Sequence, residues 1–447
     1  MKHNSLSATL LALDSLSVYR GLLENRVFLQ LRKLLYHLSE QNADLRTIIN
    51  DYHDFYFELA NTGSLSLKDY VLEQFLFNEN LFTLTMQAQA SNNQNDELDK
   101  AVCNDLANLQ LIAELDSLPI KKALAKLSQD HSSKMNVDKF PAWGLANLGQ
   151  SAQPDHLTEI KRAFLAADHW EEGLEELKSF HRNYGSGLFA RYIAFVWERS
   201  DGHGYLKGIE NSDPIRLNAL IEYEDERLRV IENTLQFLQG FPANNVLLYG
   251  DRGTGKSSTV KAILNEYYAQ GLRMLEVPKA YLADFPLIIR QLKNRSQKFI
   301  IFVDDLVFGD DEENYTSLKA VLEGGLESKT PNILIYATSN RRHLVKEYFS
   351  ERAGLQSGNH DEEVHAADSM QEKLSLADRF GIHVVFSSPD QKKYLKIVEG
   401  LAAQRNLEID TESLHQKALQ WEMRYNGRSA RTARQFVDWL EGQNSAK

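Results

Sequence analysis

A glycine-rich loop between a predicted strand and a predicted helix contains the residues best suited to phosphate chemistry. The apolar run NVLLY (245–249) leads into GDRGTGKS (250–257), and the helical pattern STVKAILNEYY follows. This order fits the spacing G-x-x-x-x-G-K-[ST] in the strand–loop–helix context that the motif requires. Because glycine has no Cβ, the backbone can turn tightly and direct its N–H groups at phosphate oxygens beside the positive end of the helix.

Different residues of this loop are predicted to bind different parts of a nucleoside triphosphate and its metal ion. We expect Lys256 to reach the β- and γ-phosphates and the Ser257 hydroxyl to bind Mg²⁺. The alternative is a glycine-rich turn that matches by chance, and the flanking strand and helix argue against it. The predicted nucleotide-binding residues are Gly250, Asp251, Arg252, Gly253, Thr254, Gly255, Lys256, Ser257 and Ser258.

Two adjacent acids follow a second apolar run, KFIIFVD (298–304). Asp304 and Asp305 therefore stand at the carboxyl end of a buried strand, where ligands gather in open α/β sheets. One carboxylate there can hold Mg²⁺ while its neighbour orients and deprotonates an attacking water. We predict Asp304 as the metal ligand and Asp305 as the base. The alternative is that the pair only caps the next helix.

Three later segments offer polar groups for catalysis. NILIYATSN (332–340) ends in Asn340, whose amide can bond both a γ-phosphate and a water. SLADRFG (375–381) places Arg379 at a helix end, from which it could reach a neighbouring subunit's nucleotide. Each has a structural alternative, as a turn residue or a helix-terminal charge. A third segment, GRSARTARQFVDWL, carries three arginines on one helix face that could touch phosphate, or form a stripe that faces solvent or nucleic acid: Arg428, Arg431 and Arg434.

From about residue 209 the chain alternates between strand and helix patterns. Five short apolar runs, which end with HVVF (383–386), are typical of strands buried on both faces of a parallel sheet. Residues 209–389 are therefore predicted to form a doubly wound α/β nucleotide-binding domain with a five-stranded parallel sheet. The purely helical pattern of residues 390–447 predicts a C-terminal lid.

The first part of the chain has no chemical motif. Residues 1–142 repeat apolar positions at three- and four-residue steps, as in VFLQLRKLLYHLSE, which predicts an α-helical N-terminal region. It could bind a partner or pack on the nucleotide-binding domain. Residues 143–208 are predicted as a connecting segment, and the stretch DGHGYLKGIENSDP (201–214) is typical of a linker.

Composition limits the classes of partner. The 50 Lys and Arg against 62 Asp and Glu give a net charge of −12, which opposes non-specific binding to DNA or anionic lipid, although a local basic stripe stays open. Runs of ~18 apolar residues are absent, so we expect no membrane span. The single cysteine, Cys103, excludes an intrachain disulfide and leaves a zinc cluster without ligands, which favours the cytoplasm.

Taken together, these residues resemble the AAA+ ATPases. GDRGTGKSS is similar to Walker A, FIIFVDDL to Walker B, Asn340 to sensor 1, Arg379 to the arginine finger and Arg431 to sensor 2 of the lid. The resemblance implies that Ile221 and Tyr223 lie near the adenine. The phrases LFARYIAFVW, LKAVLEGGLE, IYATSNRRHL, LADRFG and ARTARQFV are similar to a bacterial AAA+ ATP-binding family named only as a domain of unknown function. That similarity covers roughly residues 185–447.

The resemblance implies a homo-oligomeric P-loop ATPase with ATP and Mg²⁺ as cofactors. It would hydrolyse Mg-ATP at a subunit interface, with Arg379 supplied in trans, and change the conformation of a protein partner held by the N-terminal region. One departure is that Asp305 stands where the superfamily usually has Glu. This keeps open a nucleotide-dependent binding switch or loader with little hydrolysis. A P-loop kinase is the weaker alternative, and a nucleic-acid partner stays open.

Overall fold

A computed structural model describes residues 3–40, 44–87, 96–130, 136–144, 155–307, 312–323, 330–340, 377–425 and 427–445. The chain divides into two compact units, Met1–Arg191 and Tyr192–Lys447. Among the described helices, none is both long and apolar enough to cross a bilayer.

The first unit is built from α-helices around a core of its own. In the second of them, buried Val27, Phe28, Leu31 and Leu35 recur with the helical period, and the Asn25 side chain caps the helix by accepting the Val27 N–H. The ten helices among its described residues are α1 His3–Asp14, α2 Arg26–Ser39, α3 Leu45–Asn61, α4 Leu67–Phe77, α5 Leu81–Gln87, α6 Asp96–Ala113, α7 Ser117–Asp130, α8 Asp155–Ala166, α9 Leu174–Tyr184 and α10 Gly187–Arg191.

The second unit contains a sheet in which seven strands are described, in the order β2-β1-β4-β5-β6-β3-β7. The strands are β1 Ala194–Ser200, β2 His203–Gly208, β3 Val246–Gly250, β4 Leu272–Glu276, β5 Lys298–Val303, β6 Ile333–Ser339 and β7 Ile382–Phe386. Neighbours run parallel except for the antiparallel pair β1 and β2. The five predicted strands are all present within a residue, but the predicted total of five is wrong.

The two additional strands come from the segment that the sequence predicted as connecting chain and linker. Residues 143–208 contribute helices to the first unit and the hairpin β1–β2 to the second. Gly204 and Gly208 are needed here because a Cβ on either would collide with the ring of Trp197 or Tyr192. These glycines allow close packing of aromatic rings across a hairpin, whereas the sequence analysis interpreted the stretch that contains them as a linker.

Helices pack around the sheet, and the last of those described ends at Ser445. They are α11 Glu224–Leu238, α12 Lys256–Tyr267, α13 Phe285–Leu292, α14 Glu312–Glu323, α15 Gln391–Gln404, α16 Thr411–Arg424 and α17 Ala430–Ser445. The last three, called here the C-terminal helices, share one apolar core with the sheet, since Tyr394 and Phe436 cluster with strand residues such as Val246 and Leu248.

Strand register brings the predicted site residues together at the carboxyl ends of the central strands. Tyr249 of β3 pairs with Ser339 of β6, and Val303 of β5 pairs with Ala337 of β6. The residues that follow these positions therefore meet at the carboxyl ends of three adjacent parallel strands, which is where ligands bind in this class of fold.

Candidate functional site

The glycine-rich loop (residues 250–257) follows β3 and passes directly into α12. Its three glycines have positive φ angles, 129° at Gly250, 75° at Gly253 and 98° at Gly255. A Cβ at Gly250 would collide with the carbonyl oxygen of Phe386 on β7. The glycines are thus required both by backbone conformation and, at Gly250, by close approach of a neighbouring chain segment.

Lys256 is directed back across the mouth of this loop and is only 6% exposed. Its Nζ donates to the carbonyl oxygens of Gly250 at 3.0 Å and Asp251 at 2.6 Å, and to Asn340 Oδ1 at 3.3 Å. Burial lowers the pKa of the Lys256 ammonium, while the nearby carboxylates of Asp251, Asp304 and Asp305 oppose that shift. The Lys256 ammonium, at the first residue of α12, therefore lies at the mouth of the loop beside the positive end of that helix.

Ser257 and Asp304 form the predicted metal-binding pair. The Ser257 hydroxyl donates to Asp304 Oδ1 at 2.6 Å, and the same oxygen accepts from Thr338 Oγ1 at 2.5 Å and from the Asp305 N–H at 3.1 Å. The described residues contain no cluster of three or more His, Cys, Asp or Glu side chains placed for a metal. One hydroxyl and one carboxylate fit Mg²⁺, which takes few protein ligands and completes its shell with phosphate and water.

Asp305 stands next to this pair and is exposed. Its Oδ1 accepts from Asn340 Nδ2 at 2.6 Å, and its Oδ2 lies 3.6 Å from Lys279 Nζ. Its φ is 51°, in the left-handed region that Asp and Asn tolerate better than most other residues with a Cβ. The backbone of this turn is therefore one physical reason for the shorter acid here.

A pocket adjoins the loop. Its lining is mostly apolar and comes from the segment before α11, from α11, from the glycine-rich loop, from α12 and from the C-terminal helices: Ala219, Leu220, Ile221, Tyr223, Arg227, Thr254, Gly255, Thr259, Ile397, Leu401, Ala430 and Arg434. The predicted base-binding residues Ile221 and Tyr223 both line it. Tyr223 is held by its hydroxyl, which donates to the Ser387 carbonyl at 2.7 Å. Mostly apolar walls with a few polar groups are typical of a small-molecule pocket, and Thr254 and Gly255 of the glycine-rich loop form part of this lining.

The three arginines predicted on one helix face have different surroundings. Arg431 and Arg434 lie in α17, but Arg428 precedes its first residue, Ala430, so the prediction is wrong for Arg428. Arg428 is engaged by Glu422, with Nε to Oε2 at 2.6 Å. Arg431 lies against the glycine-rich loop, since its N–H donates to the Gly253 carbonyl at 3.0 Å. Arg434 lines the pocket. Arg431 and Arg434 are thus near the loop and the pocket, whereas Arg428 is occupied elsewhere.

Arg379 is not brought together with these residues. It stands three positions before β7, whose first residue, Ile382, pairs with Val246 at the start of β3. The glycine-rich loop begins four residues later along β3, at about 3.3 Å per residue, so roughly 13 Å separates the two ends along the strand. Arg379 therefore lies near the amino-terminal ends of the parallel strands, whereas the glycine-rich loop of its own chain lies at their carboxyl ends.

The remaining predicted loop residues support the turn. Asp251 Oδ2 accepts the Ser388 N–H at 2.7 Å, and this hydrogen bond lowers the pKa of the Asp251 carboxyl. The buried Thr254 hydroxyl donates to the Asp251 carbonyl at 2.9 Å. Arg252 is exposed, and Ser258 is half-buried in the first turn of α12.

Sequence reasoning assigned no role to three residues that contact the site. Thr338 was visible as a polar residue within the apolar run NILIYAT, which is a usable signal. Lys279, after β4, and Arg227, in α11, have no such signal, because one lysine or arginine in a charged helical stretch resembles any other. Only the chain fold brings them to Asp305 and to the base pocket.

Comparisons with known proteins agree with this geometry. A family described as "Protein of unknown function (DUF815)" matches residues 190–444. The proteasome-activating nucleotidase of Methanosarcina mazei is 27% identical over 199 residues, covering 38% of this chain and 44% of the relative. The 26S proteasome regulatory subunit 4 homolog of Schizosaccharomyces pombe is 39% identical over 70 residues, covering 14% and 16% respectively. The chain thus spans less than half the length of both relatives.

Among solved structures, the Thermotoga maritima RuvB Holliday junction branch migration motor is 15% identical with a TM-score of 0.36. That match covers 52% of this chain and 66% of the motor. At such a score the likeness carries no inference about activity or assembly.

Proposed function

This chain belongs to the family described as protein of unknown function (DUF815), whose model spans more than half of it, and from that premise we propose that it hydrolyses Mg-ATP at an interface between its own copies. The predicted membership of an AAA+ family with only a domain-of-unknown-function name is confirmed by this match together with the similarity to proteasome-activating nucleotidases.

The proposal depends on one observation. At the mouth of the glycine-rich loop, Lys256 lies beside Ser257, whose hydroxyl donates to Asp304. Lys256 neutralises the β- and γ-phosphates, and the loop N–H groups bind their oxygens. Mg²⁺, held by Ser257 and Asp304, would stabilise the charge that develops on the phosphates. Asp305 orients and deprotonates the attacking water, and Asn340, which already bonds Asp305, holds the water and the γ-phosphate in line.

The adjoining pocket supports adenine as the base. Its apolar walls, including Ile221 and Leu401, fit a flat ring. The main-chain N–H and C=O of Ile221 make no hydrogen bond within the described part of the chain. A neighbouring donor and acceptor match the N1 and N6 positions of adenine and oppose the reversed pattern of guanine.

The position of Arg379 supports catalysis between subunits. An arginine at the amino-terminal end of β7 is badly placed for its own nucleotide, and in a head-to-tail ring that end of the sheet would face the site of a neighbouring subunit. We therefore assign Arg379 as a finger acting in trans. Such a finger accelerates phosphoryl transfer by roughly 10³–10⁵-fold in other systems.

Contact between the loop and the last helix supports coupling to movement. The bond from the Arg431 N–H to the Gly253 carbonyl ties α17 to the residues that hold phosphate. The C-terminal helices would then act as a lid whose position follows the nucleotide, with Arg431 or Arg434 sensing the phosphates. The first unit would carry a protein partner, and the single cysteine favours the cytoplasm.

A nucleotide-dependent switch with little hydrolysis is the second candidate. It is favoured by Asp305, whose carboxylate is one methylene shorter than Glu and is held by Asn340 and close to Lys279. A slow wild-type rate that rises in Asp305→Glu would select this reading, and a brisk wild-type rate would remove it.

The test is ATP turnover by Lys256→Ala and Arg379→Ala variants, each alone and mixed in equal amounts. Each alone should lose at least about 10³-fold in rate, because one lacks the phosphate grip and the other the finger. In the mixture, a site with an intact loop and an intact neighbouring finger forms at about one interface in four, so activity should return to about a quarter of wild type.

Lys261→Ala is the matched control, since Lys261 lies on the same helix as Lys256 with its side chain 38% exposed. It should keep wild-type turnover. Full activity in both Lys256→Ala and Arg379→Ala would refute the mechanism. Two inactive variants that give no activity when mixed would refute the role of Arg379 in trans.

A further inference from the structure

The turn before α11 has an unusual backbone. Glu222 and Tyr223 are consecutive residues with a Cβ, and both are left-handed, with φ of 60° and 65°. Such angles are sterically costly for residues other than glycine. The turn also forms one wall of the base pocket, through Leu220, Ile221 and Tyr223. Strain that is kept beside a binding pocket needs contacts that hold it.

Arg227 supplies those contacts from the first turn of α11. It is 7% exposed, and its guanidinium donates to the carbonyl oxygens of Glu222 and, at 3.2 Å, of Leu220. A further bond reaches Glu224 Oε1 at 3.3 Å. A buried cation at the positive end of a helix is electrostatically unfavourable, so its placement there requires compensation from these acceptors.

The other side of the turn is fastened independently. Tyr223 donates to the Ser387 carbonyl, and Lys393 Nζ lies 3.7 Å from the centre of its ring. If Arg227 were lost, Tyr223 would stay anchored while Leu220 and Ile221 were released. The effect of Arg227 should therefore be local to the base pocket and should leave the glycine-rich loop intact.

We propose that Arg227 is the positioning residue of the base pocket, which clamps the strained turn so that the Ile221 main chain faces the base of the nucleotide. This rests on the proposed binding of ATP. Arg227 acts through the turn and touches no phosphate, so it determines how tightly the nucleoside part is held and has no share in binding the triphosphate part.

The experiment compares two ligands, ATP and inorganic tripolyphosphate, which has the same charged chain but no base. Their dissociation constants are measured by calorimetry on the full chain, for wild type and for Arg227→Met. We expect ATP binding to weaken about 10–100-fold, since two charge-assisted hydrogen bonds that fix the turn are removed. Tripolyphosphate binding should change by less than about twofold, because the loop that holds it is untouched.

Arg229→Met is the matched control, because Arg229 is exposed on the same helix two residues away. It should bind both ligands as wild type does. Arg227→Lys keeps the charge and can reach one carbonyl, so it should recover part of the ATP affinity, and it serves as the measured variant if Arg227→Met does not fold.

The outcomes separate this inference from the function beneath it. Unchanged ATP affinity in Arg227→Met, or an equal loss for ATP and tripolyphosphate, would overturn the positioning role while leaving ATP binding in place. Wild-type protein that binds neither ligand would overturn the proposed function, and the inference with it.

Discussion

Replacing Gly253 with alanine should loosen the contact between the glycine-rich loop and the last helix. The φ of Gly253 is 75°, which costs a residue with a Cβ roughly 1–2 kcal/mol. The new Cβ would also lie 3.0 Å from Arg431 Cβ and 3.0 Å from Ser429 Oγ. Relieving such a contact costs about 1–3 kcal/mol. Because Ser429 Oγ accepts the Thr432 N–H at 3.0 Å, moving Ser429 also disturbs the start of α17.

Gly255→Ala provides the matched control. The φ of Gly255 is 98°, but a Cβ there meets nothing within 4 Å, so this variant has the backbone strain without the clash. The measurement is the free energy of unfolding of the second unit, from urea titration of the full chain without nucleotide. Gly253→Ala should lose at least about 1 kcal/mol more than Gly255→Ala. Equal or smaller destabilisation by Gly253→Ala would refute the direct packing of α17 on the loop.

Two further changes test the site and the helical unit. Thr338 is 2% exposed and both donates to Asp304 and accepts the Asp305 N–H at 2.9 Å, so Thr338→Val should reduce ATP turnover about tenfold through the loss of roughly 1–3 kcal/mol of hydrogen bonding. Thr338→Ser, which keeps the hydroxyl, should retain most of the rate, and similar rates for both variants would contradict the bridging role. Burial lowers the pKa of His181 from 6.5 to about 4. Between these two pH values, His181 is protonated in the unfolded chain but neutral in the folded chain. Stability of the first unit should therefore fall by roughly 3 kcal/mol as the pH drops from about 6.5 to about 4. In His181→Gln, thermal unfolding measured over this range should show a smaller pH dependence, and an identical slope would exclude His181 as its source.

The parts of the site that lie close together in the chain could be predicted from the residues alone. The loop 250–257, the acids after β5 and Asn340 after β6 each follow a short apolar strand, and that order is readable because strand and loop are adjacent in sequence. The five parallel strands were predicted within a residue because strands buried on both faces form continuous apolar runs in the sequence.

Prediction failed where residue type had two physical meanings. Gly204 and Gly208 lie in a hairpin strand packed against aromatic rings, but isolated glycines in a polar stretch are equally typical of a linker. The strands β1 and β2 were missed for this reason. The choice of Asp305 over Glu likewise has a local backbone explanation, its left-handed φ, that composition does not reveal.

The phosphate-binding loop and the order of strands and helices can be predicted from the amino-acid sequence, because they depend on neighbouring residues and on the period of apolar positions. The contacts between distant groups can be known only from the folded chain: Thr338 on Asp304, Lys279 on Asp305, Arg227 in the lining of the base pocket and α17 on Gly253. Those contacts depend on strand order and register and on how helices pack over the sheet. Strand order, register and helix packing depend on how the whole core is buried, so no single stretch of sequence indicates them.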